Sequence, residues 1–192
     1  MTDIKTQRKQ FTKVSLPLIE VRRYLEPGPL VLVTSAWDGR TNIMTMNWHS
    51  MMEFTPALLG CVISSANHSF DMVRRSKECV INLPTTALID EVVKIGNTTG
   101  DELDKFDKFG LTAVKAKKVK APLIRECYAN FECSLYDDSL VRKYNFFIWK
   151  VVAAHVAKSP KHPQTLHYMG EGEFMVSGKV ISRKKYFRPG ML

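Results

Sequence analysis

No stretch of this 192-residue chain stays apolar for anything near the roughly 20 residues that cross a bilayer, and its polar start, Met1 to Gln10, has no apolar core of the kind that marks a secretory signal. Both absences point to a cytoplasmic protein with no membrane partner. There is no internal repeat, low-complexity tract or linker, so a single domain over residues 1–192 is expected. Cysteine is scarce: Cys61, Cys79, Cys127 and Cys133 include no C-x-x-C pair, and each lies in a segment that otherwise reads as strand. Buried reduced thiols fit that pattern better than a disulfide frame or a zinc site. His155, His162 and His167 lack metal-ligand spacing, and no serine, histidine and acid arrangement stands out as a nucleophilic triad.

Acidic residues are also in short supply. Nineteen Asp and Glu face 28 Lys and Arg, a formal net charge of +9. Much of the excess sits in KTQRK (5–9), KAKKVK (115–120) and SRKKYFR (182–188). Such clusters would release counterions from nucleic acid, but they carry no recognisable binding motif and read more simply as solvated faces and tails. A phosphorylated cofactor or an acidic redox partner protein would use the same positive field.

What the chain does have is strand punctuation. "LVLVTS" (30–35) is short, apolar and rich in β-branched residues, and Asp38-Gly39 predicts a hairpin returning through Thr41 to Trp48. Alternation then places Asn42, Met44, Met46 and Trp48 on one face and Ile43, Thr45 and Asn47 on the other. "ALLGCVIS" after Pro56 reads as a buried strand and "CVINLP" as another, with a short helix over 70–75 between them that Asn67 or Ser69 would cap. "TTALIDEVVKIG" and "DELDKFDKFG" carry helical periodicity, with Leu103, Phe106 and Phe109 on one stripe and Gly96, Gly100 and Gly110 where C-caps are expected. "YANFECSLY" and "YNFFIWKVVAAHV" predict a long hairpin through Asp137-Asp138-Ser139, and Glu173 to Ser177 a last short strand. The expected architecture is a mostly antiparallel β-barrel with a few small helices.

Two stretches carry candidate chemistry. "SSANHS" (64–69) ends a strand and opens a helix with hydroxyls, an amide and a histidine, the ingredients of a phosphate site, with Arg74 or Arg75 as counter-charge one turn on. The plainer reading is that Ser and Asn simply cap the helix. "NIMTMNWHSMM" (42–52) offers strand amides with Thr45 and Asn47 beside Met and Trp surface, suited to a flat heteroaromatic ring. Here the plainer reading is an amphipathic strand with a Met-rich core face. His49 either lies near a ligand edge or caps the strand.

In their order these pieces resemble the flavin reductase-like family of FMN-binding split barrels, especially its flavoredoxin-like branch. The resemblance runs from about 27 to 178, through "PGPLVLVTSAWDGRTNIMTMNWHSMMEFTPALLGCVI", "NHSFDMVRRSKECVINLP", "GDELDKFDKFGLT" and "APLIRECYANFECSL". It implies a mainly β fold, a Greek-key split barrel with few short helices, as the core between basic N- and C-terminal extensions. Carried over residue by residue, it implies that Met44, Thr45, Met46, Asn47 and Trp48 run beside an isoalloxazine ring. Ser64, Ser65, Asn67, His68 and Ser69 would hold the ribityl phosphate, with Asn82 and Lys105 close by.

The same resemblance implies FMN as cofactor, NAD(P)H as co-substrate, hydride transfer to the flavin N5 and a homodimer. A flavin carries the chemistry itself, so no side chain need be catalytic; the protein binds, orients and tunes the ring. A flavin-binding electron carrier without its own nicotinamide site is the alternative. Two departures from the family pattern are visible: Ile95-Gly96-Asn97-Thr98-Thr99-Gly100 stands where Cys-Gly-x-x-Ser-Gly is frequent, and Phe174 where a Tyr is frequent.

Overall fold

A computed structural model describes residues 28–188, so the KTQRK cluster falls outside the described residues. The Asp38-Gly39 signal does what its chemistry dictates. Both residues take positive φ, 50° and 74°, and the turn pairs Trp37 with Arg40, joining β1 (Val31–Trp37) to β2 (Arg40–Met46). Two consecutive positive-φ residues match the right-handed twist of the strands they connect.

The return strand is shorter than expected. β2 stops at Met46, Asn47 and Trp48 form a two-residue link, and β3 (His49–Phe54) starts anew, turning through Thr55-Pro56 into β4 (Ala57–Val62). The break has a local cause: His49 N–H donates to the Asn47 carbonyl, while the Trp48 carbonyl accepts from Val62 N–H on the next strand. His49 ties this corner down, its Nε2 lying 2.7 Å from the Pro29 carbonyl.

Next come α1 (His68–Ser76), β5 (Glu78–Leu83), a 3₁₀ turn over Thr86–Leu88, α2 (Ile89–Gly96) and the four-residue α3 (Lys105–Lys108). Two short strands follow, β6 (Ala113–Val114) and β7 (Leu123–Ile124), then β8 (Ala129–Asp137), α4 (Val141–Tyr144) and β9 (Phe146–Val156). The long β8–β9 hairpin is present, with α4 inserted at its tip. β10 (Leu166–Gly170), unanticipated, pairs with the expected β11 (Glu173–Val176) as a separate hairpin. A 3₁₀ turn over Lys184–Tyr186 closes the described chain.

Seven strands make one antiparallel sheet in the order β2-β1-β5-β8-β9-β4-β3. The sheet does not close, because its edge strands β2 and β3 do not pair, although they are neighbours in sequence. β1 is buried on both faces, which explains its unbroken apolar run. Val31 and Val33 join a core with Met46, Ile81, Phe147 and Trp149, whereas Leu30 and Leu32 join Ile43, Val92, Ile95 and Phe106 beneath α2 and α3. Phe147 and Trp149 stack in the first core, and Trp149 Nε1–H donates to Cys61 Sγ at 3.2 Å.

All four cysteines are free and buried. Cys127 differs from expectation by lying in the turn before β8 rather than in a strand. Burial raises the thiol pKa of Cys61 and of Cys127 to about 12 and that of Cys79 well above its ordinary value, so none of these three is a ready nucleophile. The KAKKVK stretch is pinned from within. Glu132, fully buried on β8, accepts the backbone N–H groups of Lys117, Lys118 and Val119 and lies 2.7 Å from His155 Nε2. Burial opposes its ionisation, but these donors prevail and hold its carboxyl below the usual range. The lysine side chains at 115, 117, 118 and 120 remain exposed.

Asn82 is the polar centre of the sheet. It is 0% exposed, and its Nδ2 reaches the carbonyls of Leu32 and Val80 and the hydroxyl of Thr34, while its Oδ1 accepts from Ile124 N–H and Asn130 Nδ2. One side chain therefore ties β1, β5, β7 and β8. Asn82→Ala strands these donors and acceptors away from water and is expected to cost about 2–4 kcal/mol. Urea unfolding of the variant measures it; a loss under about 0.5 kcal/mol would show that the network is dispensable.

Candidate functional site

Among the described residues no strand pairs with the outer edge of β2, and α1, α2 and α3 pack near it instead. Three cavities run end to end in the resulting groove. The first, about 550 Å³, lies at the start of α1 and is lined by Ser65, Asn67, His68, Arg75, Arg40 and Asp101 among others. It shares Ala66, Asn67, His68 and Thr99 with a second of about 160 Å³, between β2 and the 95–100 turn. That one shares Thr45 and Gly96 with a third of about 510 Å³, which reaches Asn47, Tyr168 and Phe174.

Close packing shapes the middle of the groove. Thr45 Oγ1 donates to the Val92 carbonyl at 2.7 Å, docking β2 against α2, and a Cβ on Gly96 would stand 3.4 Å from Thr45 Cβ. At Gly100 a Cβ would collide with the Asn42 side-chain amide. Neither glycine has positive φ; only Gly110 of the three expected caps does, at 62°. Gly100 is thus present for close approach, and neither it nor Gly96 takes the left-handed conformation of a glycine cap, a correction to the C-cap reading.

Asn42 is 2% exposed, and its Nδ2 donates to Ser69 Oγ at 2.8 Å, linking β2 to the first turn of α1. Its Oδ1 has no partner. Among the described residues two buried side-chain polar atoms are left unsatisfied, Asn42 Oδ1 and Asn47 Oδ1, and both residues line this groove. An unpaired buried acceptor costs roughly 1–3 kcal/mol, so two beside one groove, one on β2 and one just past its end, mark a place where a ligand's donors belong.

At the α1 end, Asn67 occupies the N-cap position without a side-chain cap bond. His68 Nδ1 pairs with Asp101 Oδ1 at 2.8 Å. Arg74 is drawn off by Asp71 at 3.2 Å, which leaves Arg75 to face the cavity. Lys105 is 3% exposed, and its Nζ donates to the carbonyls of Ile95, at 3.0 Å, and Thr98, at 2.7 Å. It thereby ties the C-terminal end of α2 to the turn after it, and burial lowers its pKa to about 8.

The groove gathers Met44, Thr45, Asn47, Ser65, Asn67, His68, Ser69 and Lys105 of the expected site residues. Four lie elsewhere. Met46 is buried in the first core, its alternation with Thr45 turning it inward. Trp48 is 56% exposed and lies past the end of β2. Ser64 is exposed, and its Oγ accepts the Ala66 N–H, closing the turn before α1. Asn82 is saturated inside the sheet. Sequence reasoning missed Asn42, Gly96 and Gly100 as groove residues, and Tyr168, whose ring lies 5.2 Å from that of its cross-strand partner Phe174 and restores a phenol to this end. Among the described residues no cluster of His, Cys, Asp and Glu is arranged to hold a metal ion, and no helix is long and apolar enough to cross a membrane.

Residues 22–175 match the family described as flavin reductase like domain, and the chain belongs to that family. An uncharacterized protein of Archaeoglobus fulgidus is 31% identical over 135 residues, 70% of this chain and 76% of that relative. Among solved structures, an FMN-binding domain of a flavin reductases-like enzyme from Shewanella baltica is 24% identical with a TM-score of 0.74, covering 88% of this chain and 96% of its own. Flavoredoxin of Desulfovibrio vulgaris is 21% identical with a TM-score of 0.75, covering 92% and 97%. The open seven-stranded sheet is the split-barrel fold of these proteins.

The buried amine of Lys105 gives a pH signature. The unfolded chain keeps this proton up to about 10.4, whereas the folded chain releases it near 8, so the folded state gains relative stability as pH rises between those values. The difference in unfolding free energy between wild type and Lys105→Met is expected to shift in favour of wild type from about pH 8 to about pH 10. A difference independent of pH, followed by urea denaturation, would mean that the ammonium is as comfortable in the fold as in water.

Proposed function

We propose that this chain is an FMN-dependent oxidoreductase that takes hydride from NAD(P)H and passes electrons to free flavin, an electron carrier or a redox partner protein. The observation that carries the reading is the pair of unsatisfied acceptors, Asn42 Oδ1 and Asn47 Oδ1, in one elongated groove of a flavin reductase-like fold. FMN bears donors of the matching kind in its ribityl hydroxyls and ring imide. The FMN-binding description of the Shewanella baltica structure supports the same choice.

Each part of the groove has a task under this reading. Arg75, His68 and Ser65, with the N-terminal amides of α1, hold the phosphate. Asn42 and Thr45 order the middle of the ligand, and the absent side chain of Gly100 keeps space beside Asn42. Asn47, Tyr168 and Phe174 bound the ring end, where apolar cover comes from α2. Bound FMN supplies the redox chemistry, exchanging a hydride at N5; the surrounding residues fix its orientation and limit water.

A carrier reduced by another protein is the second reading, favoured by the net charge of +9 and the exposed lysines of 115–120, which would draw an acidic partner. Anaerobic mixing of the FMN-loaded protein with NADH and NADPH separates the two. Bleaching of the bound-flavin spectrum by either nucleotide is the outcome expected here, and flavin that binds without bleaching would move the assignment to the carrier. Gly100→Ala is expected to weaken FMN by about tenfold or more, because its Cβ takes the space beside Asn42; unchanged affinity in a folded variant would remove this turn from the site.

The outer edge of β3, unpaired among the described residues, supports the homodimer. Met51, Met52 and Phe54 are 55%, 48% and 89% exposed on one short strand, and a second copy of this chain is the proposed cover. Light scattering is expected to give a dimer mass for wild type and a monomer mass for Phe54→Glu. A dimer that survives this change would place the interface elsewhere.

A further inference from the structure

The groove does not end at its phosphate end. Beyond the cavity at the start of α1 lies another, about 580 Å³, that shares Trp37, Asp38 and Arg40 with it and is completed by Thr41, Ser76, Glu78 and Lys120. Its volume falls within the roughly 300–1,000 Å³ of small-molecule sites. FMN, held as described above, has no atoms for this space.

The walls have the chemistry of a nucleoside site. Trp37 is 43% exposed although it is the last residue of β1, where pairing with Arg40 across the tight turn fixes its backbone. A rigidly mounted, solvent-facing indole is a stacking platform for a purine base. Glu78 is half-buried, and its Oε1 accepts Lys120 N–H at 2.6 Å, which orients the carboxylate and leaves Oε2 for a ligand. A fixed carboxylate is suited to a ribose diol. Arg40 lines both cavities, so one cationic residue borders the place where a phosphate would join the two halves of a dinucleotide. The charged groups here, Arg40 and Lys120 against Asp38 and Glu78, come out balanced, which suits a nucleoside with one phosphate junction better than a free polyphosphate.

We propose that the Trp37 cavity is an adenylate subsite, binding the adenosine monophosphate half of a dinucleotide alongside the flavin groove. The proposal rests on the flavin reading for its neighbour, but the subsite itself can be tested without it. The adenylate would come from FAD, whose flavin half occupies the groove, or from the nicotinamide dinucleotide that donates electrons to bound FMN.

Calorimetric titrations of the full chain distinguish these sources. With flavin-free protein, FAD is expected to bind about tenfold or more tightly than FMN. Trp37→Ala should abolish that advantage. Lys120→Ala, which touches only the adenylate cavity, should reduce it while FMN affinity moves by less than about twofold. Equal affinities for FAD and FMN, together with AMP binding to the FMN-loaded protein that Trp37→Ala removes, would assign the subsite to the nicotinamide dinucleotide and sustain the proposal. FMN binding with neither an FAD advantage nor AMP binding would overturn it, as would AMP or FAD binding indifferent to Trp37→Ala. Should FMN itself fail to bind, the flavin reading falls; AMP titration of the flavin-free protein and its Trp37→Ala variant then decides the subsite alone.

Discussion

A sheet edge cannot leave its amides and carbonyls idle, and the outer edge of β2, which no strand among the described residues pairs with, sets most of what is distinctive about this protein. Strand pairing satisfies β2 on one side only, and on the other the chain brings up helices instead of another strand. Thr45 is the contact that makes this possible, because its hydroxyl reaches the Val92 carbonyl and fixes α2 against the strand. Lys105 ties down the turn that follows the helix. The groove is the space this arrangement leaves unfilled.

Three asparagines show how one side chain serves opposite ends. Asn82 lies where strands converge, and its amide is used on both sides by β1, β5, β7 and the neighbouring Asn130. Asn42 and Asn47 lie on the edge strand and beside it, each with an acceptor that nothing in the described chain answers. Saturation in the interior stabilises the sheet, whereas want of a partner at the edge is a cost the fold carries until something binds. Glu132 belongs with Asn82, since its charge is consumed by the lysine-rich loop it organises.

Much of this is legible in the residues alone. Asp38-Gly39 specified its hairpin, "LVLVTS" its strand, and the hydroxyl-rich "SSANHS" the start of α1, because each depends on local backbone chemistry or composition. Family resemblance located the groove's strand and loop. What escaped needed contacts distant in sequence. Asn42 reads as one more strand residue until Ser69 and Gly100 are placed beside it, and Gly100 reads as a cap until its neighbour is known. Asn82 and Asn47 are the same amino acid in similar sequence contexts, and only the packing around them separates a saturated amide from one with an unpaired acceptor. The end of β2 at Met46 was hidden for a related reason: Asn47 and Trp48 continue the polar–apolar alternation that the backbone abandons.

That two-residue link has a mechanical meaning. The free margins of the sheet are its first and last strands in space, yet the chain passes from one to the other between Met46 and His49. Asn47, in the groove, and Trp48, turned to solvent, are bonded neighbours whose Cα atoms stand about 3.8 Å apart across a planar peptide. They are the two arms of a lever with almost no length between them: whatever tilts the peptide plane at the groove tilts it at the outer face in the same motion.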